Sequence, residues 1–279
     1  MPGGTSKTTG RKGPILSEAL AGILEKVRRR QPVVHAITNW VTAGDVANLL
    51  QAIGARPILA FAQEEVVEIV SAADALVLNL GTPSPDRVTA ILLAGRRANA
   101  LGKPVILDPV GAGASRFRTD AIARILSEVK VSVIRGNRAE IGALTGMEGK
   151  LRGIDAVTGP ANIGKAAQDL SRKTGAIIAA TGELDLVVEE ERTAVVRNGH
   201  PWMGQVTGTG CMLTAMIAAF AAVEKDLMAA TLSAVASFGV AGEDAGRLSN
   251  GPGSFKATLL DSLFKLRADD LQGRIRLGG

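Results

Sequence analysis

Apolar positions along the chain follow two alternating rhythms. Short β-branched runs at 33–37, 75–80, 104–108 and 131–134 are apolar at nearly every position, while segments at 42–53, 64–72, 85–101 and 118–129 repeat their apolar residues with a helical period. Strands apolar on both faces and separated by helices predict a parallel sheet covered on both sides. A fifth run at 176–180 continues the series, and Gly54, Gly102 and Gly175 stand just after predicted helices, where a left-handed residue closes the last turn. No block repeats and no linker divides the chain, so the pattern predicts a single α/β domain over 15–279. Residues 1–14, polar and rich in glycine, read as a disordered tail.

The most apolar stretch, 205–223, opens with Gly208-Thr209-Gly210-Cys211 and runs on as about a dozen apolar or small residues of high helix propensity. Two glycines at a helix start allow backbone angles closed to other residues. The first N–H groups of the helix then lack partners and, with the positive end of the helix dipole, suit a phosphate or carboxylate. Cys211 lies in that first turn, where a thiol's pKa tends to fall. A capped core helix with a buried cysteine explains the same spacing equally well.

Composition narrows the classes. With 279 residues, 46% hydrophobic and only 3% aromatic, the chain affords a large aliphatic core. No apolar run reaches the roughly 18–20 residues of a membrane span, and Glu18, Glu25 and Lys26 interrupt any secretory segment near the start. The single cysteine rules out an internal disulfide and suits a reducing cytoplasm, the expected location; with two histidines beside it, a zinc cluster is not expected. The net charge of +5 lies largely at the ends of the chain, and few aromatics are available to stack bases, so a solvated surface rather than a nucleic-acid partner is expected.

Function in a parallel sheet gathers at the carboxyl ends of its strands. Those ends carry Thr38 and Asn39, then Asn79 and Gly81, then Asp108, then Arg135-Gly136-Asn137 with Glu140 beyond, and finally Thr181-Gly182-Glu183. Each could be a local cap, and Asn137 with Glu140 has the spacing of a capping box. Five together point instead to a common cleft. An anion hole, Arg135 and the carboxylates Asp108 and Glu140 are the parts for phosphoryl transfer from a magnesium-bound nucleotide. There is no G-x-x-x-x-G-K-[ST], and Gly111-Ala112-Gly113 is incomplete as a dinucleotide fingerprint.

These residues carry a resemblance. V-H-A-I-T-N, A-N-L-L-Q-A-I-G-A-R-P, L-N-L-G-T, L-D-P-V-G-A-G, I-R-G-N-R-A-E-I, T-G-E-L-D, V-T-G-T-G-C-M-L-T-A and G-P-G-S-F follow one another between Pro32 and Phe264. In that order they resemble the ribokinase-like superfamily, in the form of the hydroxyethylthiazole kinases of thiamine salvage. The resemblance implies a mainly parallel sheet with helices on both faces, ATP as co-substrate, Mg²⁺, and a homotrimer with each thiazole site between neighbours. It implies phosphorylation of the primary hydroxyl of 4-methyl-5-(2-hydroxyethyl)thiazole. By position it places Asn39, Leu59 and Gly208 with the thiazole, Leu59 standing where methionine is common. It places Arg135, Asn137, Thr181, Thr209 and Gly210 with the nucleotide, Asp108 and Glu140 with the metal, and Cys211 as the catalytic base where the wider superfamily has aspartate. The rival expectations are a hydroxymethylpyrimidine or pyridoxal kinase, a nucleotide-dependent dehydratase of the same fold, and a sensor that binds without turnover. His35 and His200 are expected to be structural.

Overall fold

The computed structural model describes residues 12–146, 150–152, 155–158 and 162–278. The elements run α1 (Lys12–Arg30), β1 (Val33–Ile37), α2 (Ala43–Ala52), β2 (Arg56–Ile58), α3 (Val66–Ala72), β3 (Ala75–Asn79), α4 (Pro85–Ala100), β4 (Val105–Asp108), α5 (Arg116–Glu128), β5 (Val133–Asn137) and α6 (Arg138–Leu144). They continue through β6 (Lys150–Arg152), β7 (Asp155–Thr158), α7 (Ile163–Thr174), β8 (Ile177–Thr181), β9 (Asp185–Glu189) and β10 (Arg192–Val196). A 3-10 turn (Pro201–Gln205) then leads to α8 (Thr209–Ala221), α9 (Leu227–Leu248), α10 (Pro252–Lys265), α11 (Ala268–Leu271) and β11 (Leu277–Gly278). The expected tail falls largely on residues outside those described, and α1 begins at Lys12, three residues ahead of the expected boundary.

Nine strands form one sheet in the order β11-β10-β9-β8-β5-β4-β3-β1-β2. The pairs from β8 to β2 are all parallel, and the wing from β9 to β11 is antiparallel. This is the mainly parallel, two-sided α/β architecture that the alternating pattern predicts. The predicted strands all exist, though the one expected at 131–134 starts two residues later and runs to Asn137. Gly54, Gly102 and Gly175 do take positive φ, at 89°, 65° and 69°.

The strands alternate sides with a period of two. Ala75, Val77, Ile106, Val133, Ile177 and Ala179 pack with α1, α2, α8, α9 and α10 on one face. Leu76, Leu78, Val105, Leu107, Ile134 and Ile178 pack with α3 to α7 on the other. A helix apolar all round must be buried all round, and α8 obeys, with every residue from Met212 to Ala221 buried. It lies across β1, β3, β4 and β5 on the first face, with α2 and α9 against its outer side. No described helix is long and apolar enough to cross a membrane.

Candidate active site

The strand alternation decides which polar side chains meet. Asn79, Asp108, Arg135 and Thr181 each stand two residues beyond a core residue of the α8 face, so all four leave the sheet edge on that side. Neighbouring registers set Asn79 beside Asp108 and Asn137 beside Thr181. The result is one continuous hydrogen-bonded line. Asn39 Nδ2 donates to Asn79 Oδ1 (3.0 Å), and Asn79 Nδ2 donates to Asp108 Oδ2 (2.9 Å). Thr214 Oγ1, from the second turn of α8, donates to the same carboxylate oxygen (2.8 Å), and Arg135 stands 3.8 Å from it. The other arm of the Arg135 guanidinium donates to Thr181 Oγ1.

Cys211 sits on this line, its Sγ receiving Asn39 Nδ2 (3.4 Å) and Asn79 Nδ2 (3.3 Å). Its position in the first turn of α8 suggested a lowered pKa. Burial and the Asp108 carboxylate instead push the thiol up, outweighing Thr42, Asn79 and Arg135. Gly208 precedes the helix at φ 98°, and a Cβ there would lie 2.8 Å from the Thr42 methyl on the chain entering α2, so both angle and space demand glycine. The first helical bond runs from Met212 N–H to Gly208 C=O (2.8 Å), which leaves the N–H groups of Thr209, Gly210 and Cys211 without helical partners. The Thr209 hydroxyl is tied back to Met203 C=O (2.8 Å).

Against that helix start lies a second positive group. A Cβ added at Gly210 would fall 2.3 Å from an Arg135 guanidinium nitrogen, so the glycine lets the arginine rest on the helix terminus itself. Guanidinium and helix dipole repel each other, and an anion between them relieves the repulsion. Arg135 Nε is buried with no partner among the described residues, which leaves a donor for that anion.

Two carboxylates close the arrangement. Asp108 is fully buried, with Oδ1 unpartnered among the described residues, and its burial raises its pKa against the pull of Arg135, Thr214 and Asn79. Glu140 and Asn137 do form a capping box on α6: Asn137 Oδ1 accepts Glu140 N–H (2.9 Å), and Glu140 Oε2 accepts Asn137 N–H (2.8 Å). The other Glu140 oxygen accepts Gly111 N–H (2.9 Å), pinning the D-P-V-G-A-G turn. Burial and then Asp108 push Glu140 up to about 7. The cap and the cleft are therefore the same residues. Among the described residues, no group of three or more His, Cys, Asp or Glu side chains is placed as a metal cluster.

A cavity of about 670 Å³ opens beside Arg135. Asn137, Thr181, Thr209 and Gly210 line it, together with Asp185, the loop from Arg197 to His200, Leu213 and Phe238. Asp185 is pushed up to about 6, first by burial. Gly208, Asn39 and Cys211 stand on the opposite side of the Arg135–Asp108 pair. Leu59 is separate, half-buried after the edge strand β2, and its neighbour Ala60 is held at C=O by His35 Nε2 (3.0 Å). His35 is thus the structural histidine expected, whereas His200 also forms part of the cavity wall, stacked on Phe255 at 5.7 Å. Asn79, read as a strand-end residue but given no role, is the hinge of the hydrogen-bonded line. Thr214 was missed: four residues after Gly210 in an apolar helix, it has no sequence signal beyond being the one hydroxyl on the face toward Asp108.

The model of the hydroxyethylthiazole kinase family matches residues 24–269. A hydroxyethylthiazole kinase of Thermoanaerobacter pseudethanolicus is 50% identical over 252 residues, covering 90% of this chain and 96% of its own. The solved structure of a hydroxyethylthiazole kinase protein from Pyrococcus horikoshii superposes with a TM-score of 0.84 at 39% identity, covering 93% of this chain and 98% of that one. A ribokinase-like superfamily protein from Enterococcus faecalis shares the fold alone, at a TM-score of 0.58 and 16% identity over 92% of this chain and 85% of that one. On a match that spans most of the chain and identity far above the level at which only folds agree, the chain belongs to the hydroxyethylthiazole kinase family.

Proposed function

We infer that the chain carries out its family's reaction, ATP-dependent phosphorylation of the primary hydroxyl of 4-methyl-5-(2-hydroxyethyl)thiazole, at the carboxyl edge of the sheet. The observation that carries the placement is the contact of the Arg135 guanidinium with the start of α8. ATP would occupy the cavity beside Asn137 and Thr181, its γ-phosphate held between Arg135 and the N–H groups of Thr209, Gly210 and Cys211. The thiazole alcohol would approach from the other side, past Asn39, Leu59 and Gly208. Its hydroxyl would meet the phosphate at Cys211, in line with the leaving oxygen.

Burial pushes the Cys211 thiol up, so a base role falls to its thiolate form alone, and a loose transition state, in which the hydroxyl proton leaves late, asks little of that base. Asp108 and Glu140 fit a divalent cation: Asp108 Oδ1 is buried with no partner among the described residues, and the Asp108 charge adds to Glu140's need for a counter-charge. When bound, Mg²⁺ supplies charge neutralisation to the phosphates. We also propose that residues 15–279 form one domain, supported by a sheet that runs unbroken from β2 to β11. A homotrimer with shared thiazole sites is supported by Trp40 and Val41, 67% and 65% exposed immediately after Asn39. Light scattering that found a monomer with full activity would sink the shared site.

The reaction is tested by ADP release against the thiazole alcohol, hydroxymethylpyrimidine and pyridoxal in parallel. Turnover with the thiazole alcohol at least tenfold above the others is expected; a preference for either alternative would overturn the assignment.

A further inference from the structure

The cavity wall made by Arg197, Asn198, Gly199 and His200 follows β10 but is held by groups far away in sequence. Glu243, in the second turn from the end of α9, is the centre. Its Oε1 accepts Asn198 Nδ2 (3.1 Å), Gly199 N–H (3.1 Å) and an Arg276 guanidinium nitrogen (2.6 Å). Arg276 belongs to the segment that enters β11, and the same nitrogen also donates to Arg197 C=O (2.9 Å). Backbone bonds complete the strap: Arg197 N–H meets Arg276 C=O (2.9 Å), Arg276 N–H meets Asn198 Oδ1 (2.8 Å), and Asn198 Nδ2 meets Arg274 C=O (2.9 Å). Gly239 and Gly246 of α9 let this wall lie flat on the helix, since a Cβ would meet Asn198 at 2.7 Å and His200 at 2.3 Å.

We propose that Glu243 is a positioning residue for the nucleotide, fixing the Arg197–His200 wall through its bonds to Asn198 and Gly199 and through Arg276 of the C-terminal strap. The proposal rests on the reading that ATP occupies the cavity. It requires an effect on the nucleotide alone, because none of these residues lies on the Asn39–Cys211 side. Glu243→Ala is expected to raise KM for ATP about tenfold, the size of a lost charged hydrogen bond, with kcat at saturating ATP and KM for the thiazole alcohol unchanged. Glu243→Gln keeps an acceptor for Asn198 and Gly199 and is expected to recover most of the loss. Arg276→Ala, on a side chain 52% exposed, tests the strap alone and should give a smaller rise in the same constant. Should the alanine variant at 243 fail to fold, the glutamine and Arg276 variants decide. Hydrogen exchange of residues 197–204 in the wild-type protein, with and without ATP, separates the two levels. Without protection by ATP, the nucleotide is not in the cavity and the site reading falls. With protection, but with KM for ATP unmoved in the foldable variants, or with both KM values moved equally, the positioning role of Glu243 is overturned.

Discussion

The two sides of the Arg135–Asp108 pair are built to opposite rules. On the Cys211 side the groups are neutral and largely paired with one another: Asn39 Oδ1 accepts the N–H groups of Val41 and Thr42, its amide nitrogen holds Asn79 and the thiol, and only the Thr38 and Thr42 hydroxyls are buried without a partner among the described residues. Asn79 in turn bonds Gly81, Asp108 and Cys211. On the nucleotide side, a guanidinium whose Nε has no partner among the described residues faces a cavity of about 670 Å³ and a helix start of the same sign. Buried polar groups normally find partners, and a charged one left open marks where a charged ligand belongs. The acceptor side is a mould of neutral dipoles whose open groups are two hydroxyls, whereas the open group on the nucleotide side is a cation.

The largest effect expected from this contrast comes from Arg135. Arg135→Ala removes the cation at the phosphate and leaves Asp108 uncompensated, and kcat/KM for ATP should fall roughly 10³-fold. Calorimetric affinity for the thiazole alcohol should barely change; losing both together would erase the division between the sides. Glu140→Ala should follow the same pattern, with turnover strongly reduced and thiazole binding retained.

Cys211 tests the mould. Cys211→Ala is expected to lower kcat about 10²-fold with little change in KM, because the backbone N–H groups remain. Since the thiol lies high, kcat of the wild-type enzyme should climb from pH 6 to 9 and that climb should vanish in the alanine variant. Equal turnover of the two proteins across the range would leave Cys211 as packing alone.

A smaller effect concerns stability. Glu140 holds its proton to about pH 7 in the folded protein, against 4.5 as the ordinary value. Between those values the folded chain binds more protons than the unfolded one, so stability falls as pH rises through the window, by at most about 3 kcal/mol. Asp185, raised to about 6, acts in the same direction. Melting of the ligand-free protein from pH 5 to 8 should show the decline, and Mg–ATP should flatten it. A stability that rose over this range would contradict the crowding of Asp108 and Glu140. The smallest effect is expected at His35, whose Nδ1 has no partner among the described residues and whose Nε2 only anchors Ala60. His35→Gln, at a fully buried position, acts on stability rather than chemistry and should leave kcat of the folded variant within about twofold, as steady-state assays beside a melting curve would show.

Much of this was legible in the chain itself. The period-two and helical rhythms determine the parallel strands and most of their covering helices, because each strand must be apolar on both faces and each helix on one. Gly208 and Gly210 announce the anion site, since positive φ and close approach can only be met by glycine. The antiparallel wing was hidden for an equally local reason: β9 and β10 turn at Glu190, at φ 51°, without the glycine or asparagine that signals a hairpin. β11 pairs with β10 only through contacts some eighty residues apart.

What the sequence determined by itself was therefore the set of strand ends and the chemistry they carry, because those depend on residue type and on spacing within one element. What only the tertiary structure decided was which of them share a hydrogen bond, a charge or a cavity. The direction of the Cys211 shift reversed because burial and Asp108, neither visible at the helix start, outweigh the dipole there. Glu140 serves as a cap and a carboxylate partner of Asp108 at once because β4 and β5 are neighbours in the sheet. His200 became cavity wall because α9 lays glycines beneath it. Each of these depends on electrostatics and packing between elements distant in the chain, and such terms are set by distance in space.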